Sequence, residues 1–132
     1  MNHETVTAAS RQLVQGMYEA ALAGNYEGFL SVMDEKLVVY EPSFLPYGGV
    51  THGRDGFMQL FAVVGQYISL ADLKLESVVA DGQVVVAFLS AKTVADGSDI
   101  SIAERSLVRD GRIVEMRIFY HEGGSLFPRA AR

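Results

Sequence analysis

A chain without cysteine has neither a thiol nucleophile nor a disulfide framework, and none of these 132 residues is cysteine. The histidines, His3, His52 and His121, show no metal-ligand spacing, and there is no H-E-x-x-H. No serine sits in a nucleophile elbow, and Gly48-Gly49 and Gly123-Gly124 read as turns rather than phosphate cradles. The chemistry left is proton transfer by carboxyl, phenol and imidazole groups, with no metal and no cofactor. Glu104 is the most informative of these groups. In a run of strand character it alternates with Ile100, Ile102, Ser106 and Val108, so it shares a face with aliphatic residues. If that face looks inward, Glu104 is a pocket carboxylate whose pKa desolvation raises. If the other face looks inward, it is an ordinary surface acid.

The elements around it divide the chain in two. Val6, Ser10, Leu13, Val14, Met17 and Ala21 recur at helical spacing and predict a first helix stopped at Gly24. Asn25 can cap a second, shorter helix carrying Phe29, Leu30 and Met33. Lys36–Tyr40 reads as a short strand, and the prolines and glycines of residues 41–49 forbid regular structure after it. His52-Gly53-Arg54-Asp55-Gly56 opens a third helix with Phe57, Leu60, Phe61 and Val64 on its apolar face. Arg54, in the first turn, is expected to pair with Asp55 or Glu41. The second half predicts strands over Leu70–Ala80, Gln83–Val94, Ile100–Val108 and Arg112–Tyr120, joined at Asp81-Gly82, Asp96-Gly97 and Asp110-Gly111. Asp-Gly between apolar runs is a hairpin signal, because tight turns need positive φ. On the last strand Val114, Met116, Ile118 and Tyr120 share one face. Helices followed by an antiparallel meander make an α+β fold.

Size and composition agree with a single domain over residues 1–132. Apolar residues make up 49% and charged residues 20%, enough to build a core. A formal net charge of -5 disfavours nucleic acid as a partner. The opening Met1-Asn2-His3-Glu4-Thr5 lacks the order of a secretion signal, and no apolar stretch approaches the roughly 20 residues of a membrane span. The expectation is a cytoplasmic protein with no membrane association.

The order helix, helix, short strand, helix, meander resembles the NTF2-like superfamily, including its SnoaL-like and ketosteroid-isomerase-like members. The strings that carry the resemblance are Met17-Tyr18-Glu19-Ala20-Ala21-Leu22-Ala23-Gly24-Asn25, Glu41-Pro42 with His52-Gly53-Arg54-Asp55, and Asp110-Gly111-Arg112-Ile113-Val114-Glu115-Met116. The resemblance implies a cone-shaped fold, three N-terminal helices on a curved, mainly antiparallel sheet, with a deep apolar pocket at the open end. It also implies a homodimer through the outer sheet face, where Phe119 would need cover, and it turns the face of Glu104, Met116, Ile118 and Tyr120 toward the pocket.

Ketosteroid isomerases pair a carboxylate base with an oxyanion hole of a tyrosine and a protonated acid. By resemblance the base position is Glu41 and the protonated acid position is Glu104. The oxyanion tyrosine position is Met17; Tyr18 is adjacent but turned about 100° around the helix. Two supporting aromatic positions fall on Met33 and Phe61. The carboxyl pair is thus kept and the hydroxyl donor is not, which argues against 3-oxosteroid isomerisation. Tyr40, Tyr47, Tyr120 and His52 are the candidate replacement donors. Met17, Met33 and Met116 are expected as pocket wall or core, with Tyr18, Phe57, Phe61 and Ile118 beside them. The resemblance implies a cofactor-independent acid–base enzyme of isomerase, cyclase or lyase type acting on a small apolar carbonyl compound. The alternative is a small-molecule-binding dimer without turnover.

Overall fold

The computed structural model describes residues 2–126. Three helices, α1 (His3–Leu22), α2 (Tyr26–Ser31) and α3 (Gly53–Val64), pack on a sheet of six strands. The strands are β1 (Met33–Glu41), β2 (Gly49–His52), β3 (Ile68–Asp81), β4 (Val84–Thr93), β5 (Asp99–Arg109) and β6 (Arg112–Glu122). Their order across the sheet is β2-β1-β6-β5-β4-β3. All neighbours are antiparallel except β1 and β6, which run parallel. A 3-10 turn, Gly124–Leu126, follows β6 and buries Leu126; residues 127–132 of the C-terminal tail lie outside the described residues. Among the described residues no helix is long and apolar enough to cross a membrane.

Local chemistry explains the corners. Gly24 has φ +77°. It lets Asn25 N–H reach Ala20 O at 2.8 Å and Gly24 N–H reach Ala21 O at 3.1 Å, the paired closure that ends a helix at a left-handed residue. Asn25 then caps α2 by accepting from Gly28 N–H at 3.0 Å. The three Asp-Gly pairs work differently from one another. At Asp110-Gly111 both residues have positive φ and form the whole two-residue turn between paired Arg109 and Arg112. At Asp81-Gly82 the aspartate closes β3 and Gly82-Gln83 is the turn. Asp96-Gly97 lies in a longer loop, where the Asp96 carboxylate accepts from Thr93 Oγ1, Ser98 N–H and Ser98 Oγ.

Three sequence expectations need correction. Met33 is not in the second helix: α2 ends at Ser31, and Met33 opens β1, fully buried. Gly49–His52, with Gly49 expected as irregular chain and His52 as the opening of the third helix, is a strand paired antiparallel with the end of β1. Val114 does not share the inner face of Met116. Leu107 pairs with Glu115 and Val108 with Ile113, so Val114 is the extra residue of a bulge and Ile113 is buried in its place.

Arg54 pairs with neither Asp55 nor Glu41. Its Nε donates to Met33 O at 2.7 Å, tying the start of α3 to the start of β1. The loop between β1 and β2 is folded on itself, with Leu45 N–H on Pro42 O and Gly48 N–H on Leu45 O. A Cβ at Gly48 would collide with the Pro42 carbonyl oxygen. Gly48→Ala is therefore expected to cost about 1–3 kcal/mol, as overpacking does. A denaturant midpoint equal to that of the parent would refute the close approach.

The core lies between the helices and the inner sheet face, through Val14 and Met17, Leu37 and Val39, Val85 and Ala87, and Ile113. On the outer face Phe88 and Phe119 stay exposed, at 43% and 49%.

Candidate active site

Strand alternation delivers the acids. On β1, Val39 and Glu41 point to the inner face; on β5, Ile102 and Glu104 do; on β6, Met116, Ile118 and Tyr120 do. The helices close the other side with Met17 and Tyr18 from α1, Phe29 from α2, and Phe57 and Phe61 from α3. Together they line a cavity of about 90 Å³. That is several times the ~10–15 Å³ one water needs. The aromatic wall is continuous: the Phe29 ring centroid is 5.4 Å from that of Phe57 and 5.5 Å from that of Phe61. Apart from Glu41, Glu104, Tyr18 and Tyr120, the lining is apolar.

Each acid meets a tyrosine. Tyr18 Oη donates to Glu104 Oε1 at 2.5 Å, across 86 positions of sequence. Tyr120 Oη donates to Glu41 Oε2 at 3.3 Å and lies 2.9 Å from Tyr47 Oη. Glu41 Oε1 is buried with no hydrogen-bond partner. Among the described residues no Lys, Arg or His forms an ion pair with either acid.

Desolvation dominates the electrostatics. It raises Glu104, which the Tyr18 hydrogen bond partly offsets. Glu41 is pushed up to about 8, first by burial and then by the charge of Glu104, against a small lowering by Tyr120. Burial and the Glu104 charge both disfavour ionisation of Glu41, which holds its proton. The geometry agrees: the short Tyr18 donor stabilises a Glu104 anion, while Glu41 has one long hydrogen bond and one bare oxygen. Glu41 thus keeps its proton up to about pH 8. The resemblance implies Glu41 as base and Glu104 as proton donor; these hydrogen bonds favour the opposite pairing of roles. Burial, then the charge of Glu104, also raises Tyr18. Burial pushes Tyr47 up to about 12, and burial and the Glu41 charge raise Tyr120, so these phenols stay protonated.

The fold separates the other sequence candidates from the cavity. Tyr40 lies on the opposite face of β1 from Glu41, with Arg117 Cζ 4.1 Å from its ring centroid. His52 is exposed at the N-terminus of α3 and makes no capping bond. Met33 is core rather than wall. Tyr47 is buried behind Tyr120 and does not line the cavity. Met17, Tyr18, Phe57, Phe61, Met116, Ile118 and Tyr120 all line it. Met17 and Tyr18 both face the cavity, and the Tyr18 hydroxyl donates to Glu104. Sequence reasoning passed over Phe29 and Val39 as wall residues; the alternation that singles out Glu41 would have found Val39. Among the described residues no cluster of His, Cys, Asp or Glu could hold a metal ion.

Tyr18→Phe removes the hydroxyl donor to Glu104. Its expected effect is a higher Glu104 pKa, by about one unit for a hydrogen bond to a charged group. Side-chain carboxyl NMR titration would read this, and an unmoved midpoint would refute the contact.

Helices on a curved, mixed six-stranded sheet, with a cavity between them, define the NTF2-like fold. Within it, residues 14–116 match the family model of the SnoaL-like domain, and the chain belongs to that family. A proposed SnoaL-like polyketide cyclase from Jannaschia sp. CCS1 superposes with a TM-score of 0.74 at 16% identity, over 91% of this chain and 90% of that one. A proposed ketosteroid isomerase from Kribbella flavida DSM 17836 gives 0.72 at 16% identity, over 96% and 93%. TerC, co-crystallised with polyporic acid, gives 0.71 at 19% identity, over 86% and 92%. At these identities the likeness is one of fold. No protein of curated function matches the sequence significantly.

Proposed function

We propose that the protein is a cofactor-independent acid–base enzyme acting on a small apolar carbonyl compound. The observation that carries this reading is the pair of hydroxyl-bonded carboxyl groups at an apolar cavity, one of which keeps its proton to about pH 8. In the singly charged state, the Glu104 carboxylate removes a proton from the carbon next to the carbonyl. The C–H electron pair becomes the C=C bond of the enol, and Glu41 delivers its proton to the carbonyl oxygen. If the proton on Glu104 is replaced from solvent before it returns to the same carbon, the result is exchange; delivery to a conjugated carbon gives isomerisation, with Glu41 taking its proton back in both cases. The names of two fold neighbours, a proposed polyketide cyclase and a proposed ketosteroid isomerase, support carbonyl chemistry of this kind.

The test uses 2-tetralone, a bicyclic ketone with acidic α protons, incubated with the protein in D2O. Loss of the α-proton NMR signals above the buffer rate, abolished by Glu104→Gln, is the expected result. Saturable binding without exchange would overturn the catalytic reading in favour of a binding protein.

A further inference from the structure

We propose that Tyr47 is a positioning residue for Glu41 and acts through Tyr120, a hydroxyl chain that holds Oε2 and leaves Oε1 as the oxygen that meets substrate. The catalytic part of this inference rests on the function proposed above.

Tyr120 Oη donates to Glu41 Oε2. It has one proton to give, so in the 2.9 Å contact Tyr47 is the donor and Tyr120 the acceptor. The chain therefore runs Tyr47 to Tyr120 to Glu41. A hydroxyl that accepts a hydrogen bond is a better donor, so each link strengthens the next. Tyr47 is well placed to be rigid. It is 7% exposed, its ring lies 5.4 Å from that of Tyr67 and 6.4 Å from that of Tyr120, and it sits on the folded loop next to Gly48. The other end of the chain explains the bare Glu41 Oε1. A buried carboxyl oxygen without a partner is costly; on a residue that lines the cavity, a ligand oxygen can satisfy it.

The titratable groups facing Glu41 are Tyr120 on β6, Glu104 on β5 and Tyr47 on the loop, with Tyr18 on α1 behind Glu104. Because the Tyr120 bond lowers the Glu41 pKa, weakening the chain must raise it. The experiment is carboxyl-13C NMR titration of Glu41 in the whole protein, assigned with Glu41→Gln. Tyr120→Phe is expected to raise the midpoint by about half to one unit, the size of one neutral hydrogen bond. Tyr47→Phe should shift it the same way by less, and the double variant should match Tyr120→Phe alone. An unmoved midpoint in Tyr47→Phe, or additive shifts in the double variant, overturns the proposal.

A wild-type measurement covers a variant that fails to fold. With ζ-13C tyrosine, the signals of Tyr47 and Tyr120 should both move at the Glu41 midpoint, while that of Tyr40, on the other face of β1, should not. A silent Tyr47 overturns the proposal. Neither titration needs a substrate. A failed exchange assay with a positive titration rejects the enzyme and keeps the chain; the converse rejects the chain alone.

Discussion

Exchange of 2-tetralone α protons is expected to fall, not rise, as pH increases through about 8. The sign follows from which acid holds the proton. Glu41 is raised to about 8 by burial and by Glu104, so below that pH it is the protonated partner and can serve the carbonyl oxygen. Above it both carboxyl groups are charged and no acid remains. Were Glu41 the base, the same titration would make the rate climb. The direction of this limb, measured as kcat/KM for the free enzyme, therefore separates the two assignments. Glu104→Gln is expected to lose about 10²–10⁴ in rate, the usual worth of a positioned acid or base. Glu41→Gln should lose a similar factor and, in addition, its alkaline limb. A Glu41→Gln enzyme that keeps the limb would assign it to another group.

The second large effect is on stability, and it runs opposite to activity. Glu41→Gln is expected to melt several degrees higher than the parent at pH 9 and at nearly the same temperature at pH 5. A carboxyl group whose pKa is raised on folding, here from 4.5 to about 8, binds its proton more tightly in the folded state. Its contribution to stability is complete below the unfolded value. It declines as pH rises through the interval and is gone above about 8. The ceiling for such a shift is about 5 kcal/mol, and relaxation around a cavity-lining group reduces it to a few. Glutamine keeps the shape and carries no charge, so the variant escapes the penalty. Titrating groups that do not interact with Glu41 are common to both proteins and cancel in the difference; the repulsion from Glu104 is part of what the substitution removes. A melting-temperature gap that is equal at pH 5 and pH 9 would show that Glu41 is not held protonated by the fold. A gap that opens between pH 5 and pH 9 would place the site among those where stability is given up for chemistry.

How much of this was legible before folding depends on the range of each interaction. The α1 corner, the α2 cap and the turn at Asp110-Gly111 are written in a few adjacent residues, because positive φ and side-chain caps act over one turn. Strand parity is equally local, and it placed Glu104 with Ile102 and Met116 with Ile118 and Tyr120. Parity also carried the information that Tyr40 must face away from Glu41, although adjacency in sequence had made both candidates. It failed at Val114, because a bulge resets the alternation and only the partner strand reveals it.

The sequence by itself thus determined the helix-then-meander order, the apolar faces and the presence of two acids on alternating strands. It left open which face of β5 is covered, since alternation is symmetric until helices choose a side. Only the tertiary structure decided that, and with it the chemistry of the site. The parallel pairing of β1 with β6 brings Glu41 to Tyr120, 79 positions apart. The packing of α1 over the sheet carries Tyr18 to Glu104, and the loop before β2 places Tyr47 behind Tyr120. The raised pKa of Glu41 exists only there, because desolvation and charge at a distance are properties of what surrounds a residue in space.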